Sequence, residues 1–320
     1  MKKIWIIFFL LAAVCGSGYG QDLRPGMISA GLYDLEAGTV RLNSSYKMPV
    51  VGINCPQLSV EKTESLVYAA LQKGFRYIQV SAGTAAAEGA GRGIGIAIED
   101  GIVSRDELFL AAVFSPADYE NMKILVENTL TRLGVDYLDL MVMQQSVYDR
   151  DAKAWQSLER ALEEGMVHSL GLNGFTDIRN FDLFLDTAVT VQPSVLQIPV
   201  YPYEQRSDMK EHLAEHGTVL VSDFPLGGHG EEQILFADPV ISVAATWHQK
   251  TSAQIILRWQ LQSENVVVLT PEDEAQISEY ADLFDFALSS DEMEQISALD
   301  RQQTLISFES EEVAPVEEWF

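Results

Sequence analysis

The stretch AALQKGFRYIQV, residues 69–80, joins the end of a predicted helix to the start of a predicted strand. Gly74 follows Lys73 where the helical pattern stops, and glycine is favoured there because it adopts left-handed backbone angles at little cost. The mostly apolar run Tyr77–Val80 then forms a short strand, and a new helical pattern begins after it. The stretch is one junction of a strand–helix unit that repeats along the chain.

The repeat continues until eight strands are predicted. Nearly all of their residues are apolar, which is typical of strands that are buried on both faces of a parallel sheet. Eight such strands alternating with helices predict an α/β fold, a (β/α)8 TIM barrel, with an N-terminal β-hairpin at residues 40–49. The predicted strands are Val50–Ile53, Tyr77–Val80, Leu108–Val113, Leu138–Met143, Ser169–Leu172, Val195–Ile198, Thr218–Val221 and Val266–Leu269.

A doubly wound open sheet is the alternative fold. It is disfavoured because Asn54-Cys55-Pro56-Gln57 follows the first strand, where that fold carries a Gly-x-Gly-x-x-Gly motif. A glycine-rich run does occur at Gly89–Gly95, but it follows the second strand. We expect that run to open or loosen a helix rather than to hold a phosphate.

The composition limits the possible partners. Hydrophobic residues make up 47% of the 320 residues, enough for a packed core, while 47 acidic residues against 21 basic ones give a formal net charge of −26. Such a surface repels nucleic acid and anionic lipid, and it hinders capture of phosphorylated ligands unless a local basic clamp exists. The alternative is that the acidity only serves solubility.

The first twenty residues have the pattern of a secretory signal peptide. Lys2 and Lys3 precede an apolar run, Ile4–Val14, which is too short to span a membrane, and small residues lead to a cleavage point after Gly20. We therefore expect an exported protein, periplasmic or secreted. Lipid anchoring at Cys15 is a minor alternative, since the residue before that cysteine is a poor match to a lipobox.

The predicted organisation follows from these segments. Residues 1–20 form the signal peptide, 21–39 an N-terminal extension, 40–300 the barrel and 301–320 an acidic C-terminal tail. After cleavage Cys55 is the only cysteine, so no intramolecular disulfide can form. No transmembrane segment is expected in the mature chain.

Several segments between residues 40 and 300 resemble the aldo-keto reductase family in content and order. They are MPVVGI at 48–53, AALQKGFRYI at 69–78, SRDELF at 104–109, LGVDYLDL at 133–140, EEGMVHSLG at 163–171, FPLGG at 224–228 and AQIILRW at 253–259. The resemblance implies the barrel fold and an NADP-dependent reduction of carbonyl compounds. Most of these segments concern packing and turns rather than catalysis.

The resemblance also implies a catalytic tetrad, and this chain lacks it. In the family, a tyrosine protonates the carbonyl oxygen and a histidine helps to orient the substrate. A lysine held by an aspartate lowers the pKa of that tyrosine. The aspartate position is Gln79, the tyrosine position falls at Thr84, the lysine position is Val113 and the histidine position is Gln144. A threonine hydroxyl is too weak an acid for this role and valine carries no charge, so all four positions are predicted to be inactive.

The positions that the resemblance assigns to the cofactor have changed as well. Asn173-Gly174 replaces a serine–asparagine pair, while the family's glutamine remains as Gln197. The aromatic that stacks on the nicotinamide falls at Asp223, or at Phe224 with a one-residue shift. Where a basic cluster should hold the adenosine phosphate, the chain has Glu272-Asp273-Glu274, which would repel it. Asn173 and Gln197 are thus vestigial cofactor-binding candidates, and no cofactor is expected.

The barrel mouth is predicted to be rich in amides, which suit neutral, hydroxyl-bearing ligands such as sugars. A catalytic role for Cys55 is disfavoured because no histidine is assigned to the mouth to activate it, so a buried inert thiol is expected. The strand ends contribute the tetrad positions Gln79 and Gln144, the cofactor positions Asn173 and Gln197, and the pocket-lining candidates Asn54, Gln145, Tyr201 and Asp223.

No metal site is predicted. His212 and His216 stand four residues apart, but we expect them on an exposed helix face without a third ligand.

Two functional hypotheses remain from the sequence. The first is an exported, non-catalytic pseudoenzyme of this family with a binding or structural role in the cell envelope, its partner an envelope protein or a small neutral ligand and not nucleic acid. The alternative is an NADP-dependent oxidoreductase that reduces a carbonyl with an atypical active site, and only then would NADP(H) be the cofactor.

Overall fold

The computed structural model describes residues 33–302 except 57, 117–121 and 229–231. The predicted signal peptide, most of the N-terminal extension and the acidic tail from residue 303 therefore lie outside the described residues. Within them, eight parallel strands close into a barrel in chain order, which confirms the (β/α)8 prediction. The strands are β4 (Val51–Cys55), β5 (Tyr77–Ser81), β6 (Phe109–Phe114), β7 (Leu140–Gln144), β8 (Leu170–Asn173), β9 (Val195–Ile198), β10 (Val219–Ser222) and β11 (Val266–Leu269).

The predicted N-terminal hairpin is also present. β2 (Thr39–Arg41) and β3 (Lys47–Pro49) pair antiparallel, and β1 (Tyr33–Asp34) adds a third strand. At the hairpin tip, Asn43 donates to the carbonyl of Pro193 at 3.0 Å, and the hydroxyls of Ser44 and Ser169 lie 2.8 Å apart. Pro193 lies two residues before β9 and Ser169 immediately precedes β8, so the hairpin covers the amino-terminal end of the barrel.

An outer layer of helices surrounds the strands. Two helices between β10 and the next barrel helix, α7 (Glu232–Phe236) and α8 (Pro239–His248), were not predicted from the sequence, although Asp238 and Pro239 supply a cap and a first-turn proline for α8. The helices are α1 (Val60–Gln72), α2 (Ala85–Glu99), α3 (Met122–Leu133), α4 (Tyr148–Glu163), α5 (Ile178–Ala188), α6 (Ser207–Glu215), α7 (Glu232–Phe236), α8 (Pro239–His248), α9 (Ser252–Gln262), α10 (Glu274–Ala281) and α11 (Ser290–Ser297). No helix within the described ranges is both long and apolar enough to cross a bilayer.

The glycine-rich run lies inside α2, which begins at Ala85, so the run does not open that helix. A Cβ atom at Gly89 would overlap the carbonyl oxygen of Val60, and one at Gly91 would overlap that of Arg132. These glycines allow α2 to approach the backbones around it more closely than any other residue would permit.

We expect Gly91→Ala to lower the free energy of unfolding by about 1–3 kcal/mol, because its methyl group meets backbone that cannot rotate away. Gly95→Ala is the matched control in the same helix, since nothing lies within 4 Å of a Cβ there. It should raise the free energy of unfolding by about 0.5–1 kcal/mol through helix propensity alone. Urea denaturation of both variants measures the difference, and effects of the same sign would contradict the packing explanation.

Candidate ligand site at the barrel mouth

The amide side chains predicted at the mouth come from neighbouring strand ends. Asn54 is in register with Gln79, and Asn173 is in register with both Gln144 and Gln197. Because the carboxyl ends of parallel strands meet at one end of a barrel, these residues are brought together there. Their individual contacts decide which of them a ligand could reach.

Gln79 and Gln197 form a buried amide pair across the barrel. The Gln197 amide donates to Gln79 Oε1 at 2.7 Å, and the Tyr77 hydroxyl donates to the same oxygen at 2.9 Å. β5 and β9 are four strands apart in the closed barrel of eight, so the pair joins opposite walls. Gln79 is 2% exposed and Gln197 is 0% exposed. Both amides are thus held by protein groups.

The other three positions to which the family resemblance assigns the tetrad differ in their surroundings. The Thr84 hydroxyl donates to the carbonyl of Ser81 at 2.8 Å, next to the start of α2. Val113 is half-buried on β6 and packs against the hydrophobic core. Gln144 lies at the exposed end of β7. None of these side chains carries a charge.

Asn173 and Asp223 form a second polar pair. The Asn173 amide donates to Asp223 Oδ2 at 2.7 Å, whereas Oδ1 is shielded from solvent and has no hydrogen-bond partner among the described residues. Burial raises the pKa of Asp223 to about 7, and the Asn173 hydrogen bond opposes that shift only in part. Asp223 is therefore a group that can exchange a proton near neutral pH.

Beside Asp223 a cleft of about 310 Å³ opens between the ends of β10 and β11. The acids Asp223, Glu232 and Glu272 are among its lining residues, and no lysine or arginine is among those that the structure describes. The pKa of Tyr280 in its wall is raised to about 12, chiefly by burial and further by nearby acids. The cleft is therefore electronegative.

The amino terminus of α10 borders this cleft. Helix amino termini attract anions, yet here the Asp273 carboxylate itself accepts from the backbone N–H of Gln276 at 2.9 Å. Glu272 and Glu274 flank it and add negative charge. A phosphate group approaching this helix would meet three carboxylates, one of which already accepts from a first-turn N–H group.

The remaining mouth candidates divide by accessibility. Asn54 is half-buried and donates to the Thr270 hydroxyl at 3.4 Å, and Gln145 is also half-buried. Tyr201 differs from the expectation, because it is 0% exposed and its hydroxyl donates to Glu204 at 3.1 Å. Cys55 is buried as predicted, and burial raises the pKa of its thiol to about 12, so the thiol stays protonated and inert.

Two groups at the site were missed by sequence reasoning. Tyr77 precedes Gln79 by two residues, so the strand period of two places both side chains on the same face, and this signal could have found it. Glu232 reaches the cleft from α7, a helix that the sequence analysis did not predict.

The closed parallel barrel with its surrounding helices defines a (β/α)8 protein whose strand ends carry a cluster of polar side chains. The family model for the aldo/keto reductase family matches residues 35–301, and this chain belongs to that family.

Individual relatives agree with this assignment. An aldo-keto reductase of Mycobacterium avium (strain 104) is 32% identical over 82% of this chain and 89% of its own length. A glyoxal reductase of Bacillus subtilis (strain 168) is 32% identical over 83% of this chain and 94% of its own length. The crystal structure of an aldo/keto reductase from Brucella melitensis superposes with a TM-score of 0.74 at 29% identity, covering 82% of this chain and 99% of that one.

Proposed function

We propose that this chain is an exported member of the aldo/keto reductase family that does not catalyse hydride transfer and instead binds a ligand or partner in the cell envelope. The observation that carries the proposal is the Gln79–Gln197 pair, with Val113 in the neighbouring strand. A neutral buried amide stands where the family's aspartate should hold a lysine, and the lysine is missing too. The general acid thus lacks both its own side chain and its activator, and general-acid catalysis alone contributes about 10²–10⁴-fold.

The electronegative cleft supports the same proposal. Asp223 stands at the position that the family resemblance assigns to the nicotinamide, and Glu272 stands at the position that it assigns to the adenosine phosphate. Glu232 lines the same cleft. Repulsion between these carboxylates and a phosphate disfavours binding of NADP(H). No lysine or arginine among the described lining residues of the cleft offsets that repulsion. The signal-peptide pattern at residues 1–20 is an independent argument, because free nicotinamide cofactor is scarce outside the cytoplasm.

Neutral hydroxyl-bearing ligands such as sugars suit the accessible mouth. Asn54, Gln144 and Gln145 offer amide donors and acceptors that are half-buried or exposed, while the barrel amides behind them are already paired. An envelope protein that presents such groups is the other partner consistent with this surface.

A titration with NADPH, followed by fluorescence, tests the proposal against the oxidoreductase alternative. We expect no saturable binding up to about 1 mM, the upper end of usual KM values, and no NADPH oxidation with carbonyl substrates. The Bacillus subtilis glyoxal reductase serves as the positive control in the same assay. Micromolar NADPH affinity with substrate turnover would overturn the proposal.

A charge-reversal pair tests the role of the cleft. Glu272→Lys places a cation in the cleft and should raise NADPH affinity, whereas Glu215→Lys makes the same charge change on an exposed part of α6. Equal effects of the two substitutions would show that overall charge, not the cleft, excludes the cofactor.

A further inference from the structure

Two neighbouring helices on the flank of the barrel bring together two imidazoles and a carboxylate. Asp182 belongs to α5, His212 to α6, and His216 to the carboxyl-terminal cap of α6. One ligand atom from each residue lies within 4.8 Å of the other two. The sequence-based expectation of an exposed pair without a third ligand is thus corrected, because Asp182 supplies that ligand and all three residues are half-buried.

The local structure holds these groups in place. His212 and His216 are four residues apart and so share one helix face, with ring centroids 4.9 Å apart. The buried Phe181 packs edge-on against both rings at centroid distances of 6.2 and 6.0 Å. His212 Nε2 lies 2.5 Å from Asp182 Oδ1, which orients that imidazole towards the carboxylate. Packing and hydrogen bonding thus restrict the rotamers before any ligand arrives.

We propose that Asp182, His212 and His216 form a binding site for a divalent transition metal, with Zn²⁺ as the best fit. Two imidazoles and one carboxylate are ligand types that zinc accepts, and three protein ligands leave a fourth tetrahedral position for water. Zinc imposes no d-electron geometry, which suits ligands that come from two separate helices.

The adjustment that binding requires is small. Zinc bonds of about 2.0–2.2 Å place tetrahedral ligand atoms about 3.3–3.5 Å apart. The His212–Asp182 contact at 2.5 Å would therefore open by about 0.8 Å, and the other pairs would close from no more than 4.8 Å. Side-chain rotation can supply such changes while the helices stay in place. The site lies outside the mouth, and this proposal does not depend on the proposed function.

Isothermal titration of the purified, tag-free chain with Zn²⁺ after chelator treatment tests the site. We expect one Zn²⁺ per chain with micromolar or tighter affinity. Loss of a residue that only supports a metal ligand weakens metal binding by about 10–100-fold. His212→Ala, His216→Ala and Asp182→Asn each alter a ligand itself, so each should weaken zinc binding by at least that factor. His248→Ala is the matched control, since His248 also contacts a carboxylate, Glu292 at 2.8 Å, but no second histidine is grouped with it among the described residues.

Thermal unfolding gives a second readout that does not depend on heat signals. Saturating Zn²⁺ should raise the Tm of the wild type and of His248→Ala, because a ligand that binds only the folded state stabilises it, and it should raise the Tm of His216→Ala by clearly less. Asp182→Asn keeps a hydrogen-bond acceptor beside His212, so we expect it to fold normally. Loss of zinc binding in this variant therefore cannot be attributed to failed folding. The proposal would be overturned if binding did not saturate below about 100 µM Zn²⁺, because a preformed three-ligand site should bind more tightly than that. It would also be overturned if none of the three ligand substitutions weakened binding.

Discussion

Replacing Gln79 with leucine should lower the free energy of unfolding by about 2–4 kcal/mol, because the substitution removes the acceptor of two buried donors, which keep only a long contact of 3.4 Å with each other. The Tyr77 hydroxyl and the Gln197 amide both donate to Gln79 Oε1, at 2.9 and 2.7 Å. Each buried donor that loses its acceptor costs about 1–3 kcal/mol, and neither can turn to water inside a closed barrel. Urea denaturation followed by circular dichroism measures the change.

The double variant Gln79→Leu/Gln197→Leu is the critical comparison. Replacing both partners with apolar side chains removes one of the stranded donors, so the double variant should lose less stability than the sum of the two single variants. Adding Tyr77→Phe removes the other stranded donor and should recover stability further. Strictly additive losses would show that the two glutamines contribute separately and that the pair does not hold the barrel walls together.

Much of the fold could be predicted because the barrel strands are buried on both faces. Such strands are continuous apolar runs, and Val195–Ile198 and Val266–Leu269 have the predicted bounds. The helices α7 and α8 were missed for a related reason. In Pro239–His248 apolar residues are spread around the helix, and Val243 and Trp247 are exposed, so no clear core-facing stripe marks the segment.

The sequence could predict which residues lie at the candidate site, but not which of their side chains form hydrogen bonds with each other. Strand ends located the residues, since every parallel strand of a barrel ends at the same mouth. Which amide meets which is decided by the barrel's closure, and this brings Gln79 to Gln197 although 118 positions separate them in the chain. The grouping of Asp182 with His212 likewise depends on how α5 packs against α6, so spacing along one helix could not reveal the third ligand.

The Gln79–Gln197 pair also limits which side chain position 79 can hold. Gln79 is 2% exposed and is in register with Ala111, so a carboxylate at this position would be buried and, without a cation beside it, would cost several kcal/mol. The neutral amide avoids that penalty and accepts a hydrogen bond from the opposite wall. We therefore expect Gln79→Asp to destabilise the barrel unless a cation is placed beside it.

Asp223→Asn should stabilise the protein by about 2–4 kcal/mol at pH 8 and by much less, about 0.5 kcal/mol, at pH 4. Burial raises the folded-state pKa of Asp223 from 3.8 to about 7. Below pH 3.8 the carboxyl group is protonated in both states and stability does not depend on it. As the pH rises towards 7, the unfolded chain releases this proton and the folded chain does not, so the free energy of unfolding falls. Above pH 7 the penalty is constant. Asparagine does not titrate and keeps an acceptor for Asn173, so it avoids the penalty.

Urea denaturation of the wild type and Asp223→Asn at pH 4, 6 and 8 measures this dependence, and the gap between them should widen with pH. Asp177→Asn is the matched control. Asp177 accepts from the backbone N–H of Asn180 at the start of α5, where asparagine is an equally good N-cap, so that variant should follow the wild type at every pH. A gap that does not change with pH would show that Asp223 ionises normally in the folded chain and would remove it as a group that exchanges a proton near neutrality. A widening gap would instead mean that the ionised Asp223 carboxylate destabilises the folded chain. That cost is expected for a residue whose role is in binding rather than in stability.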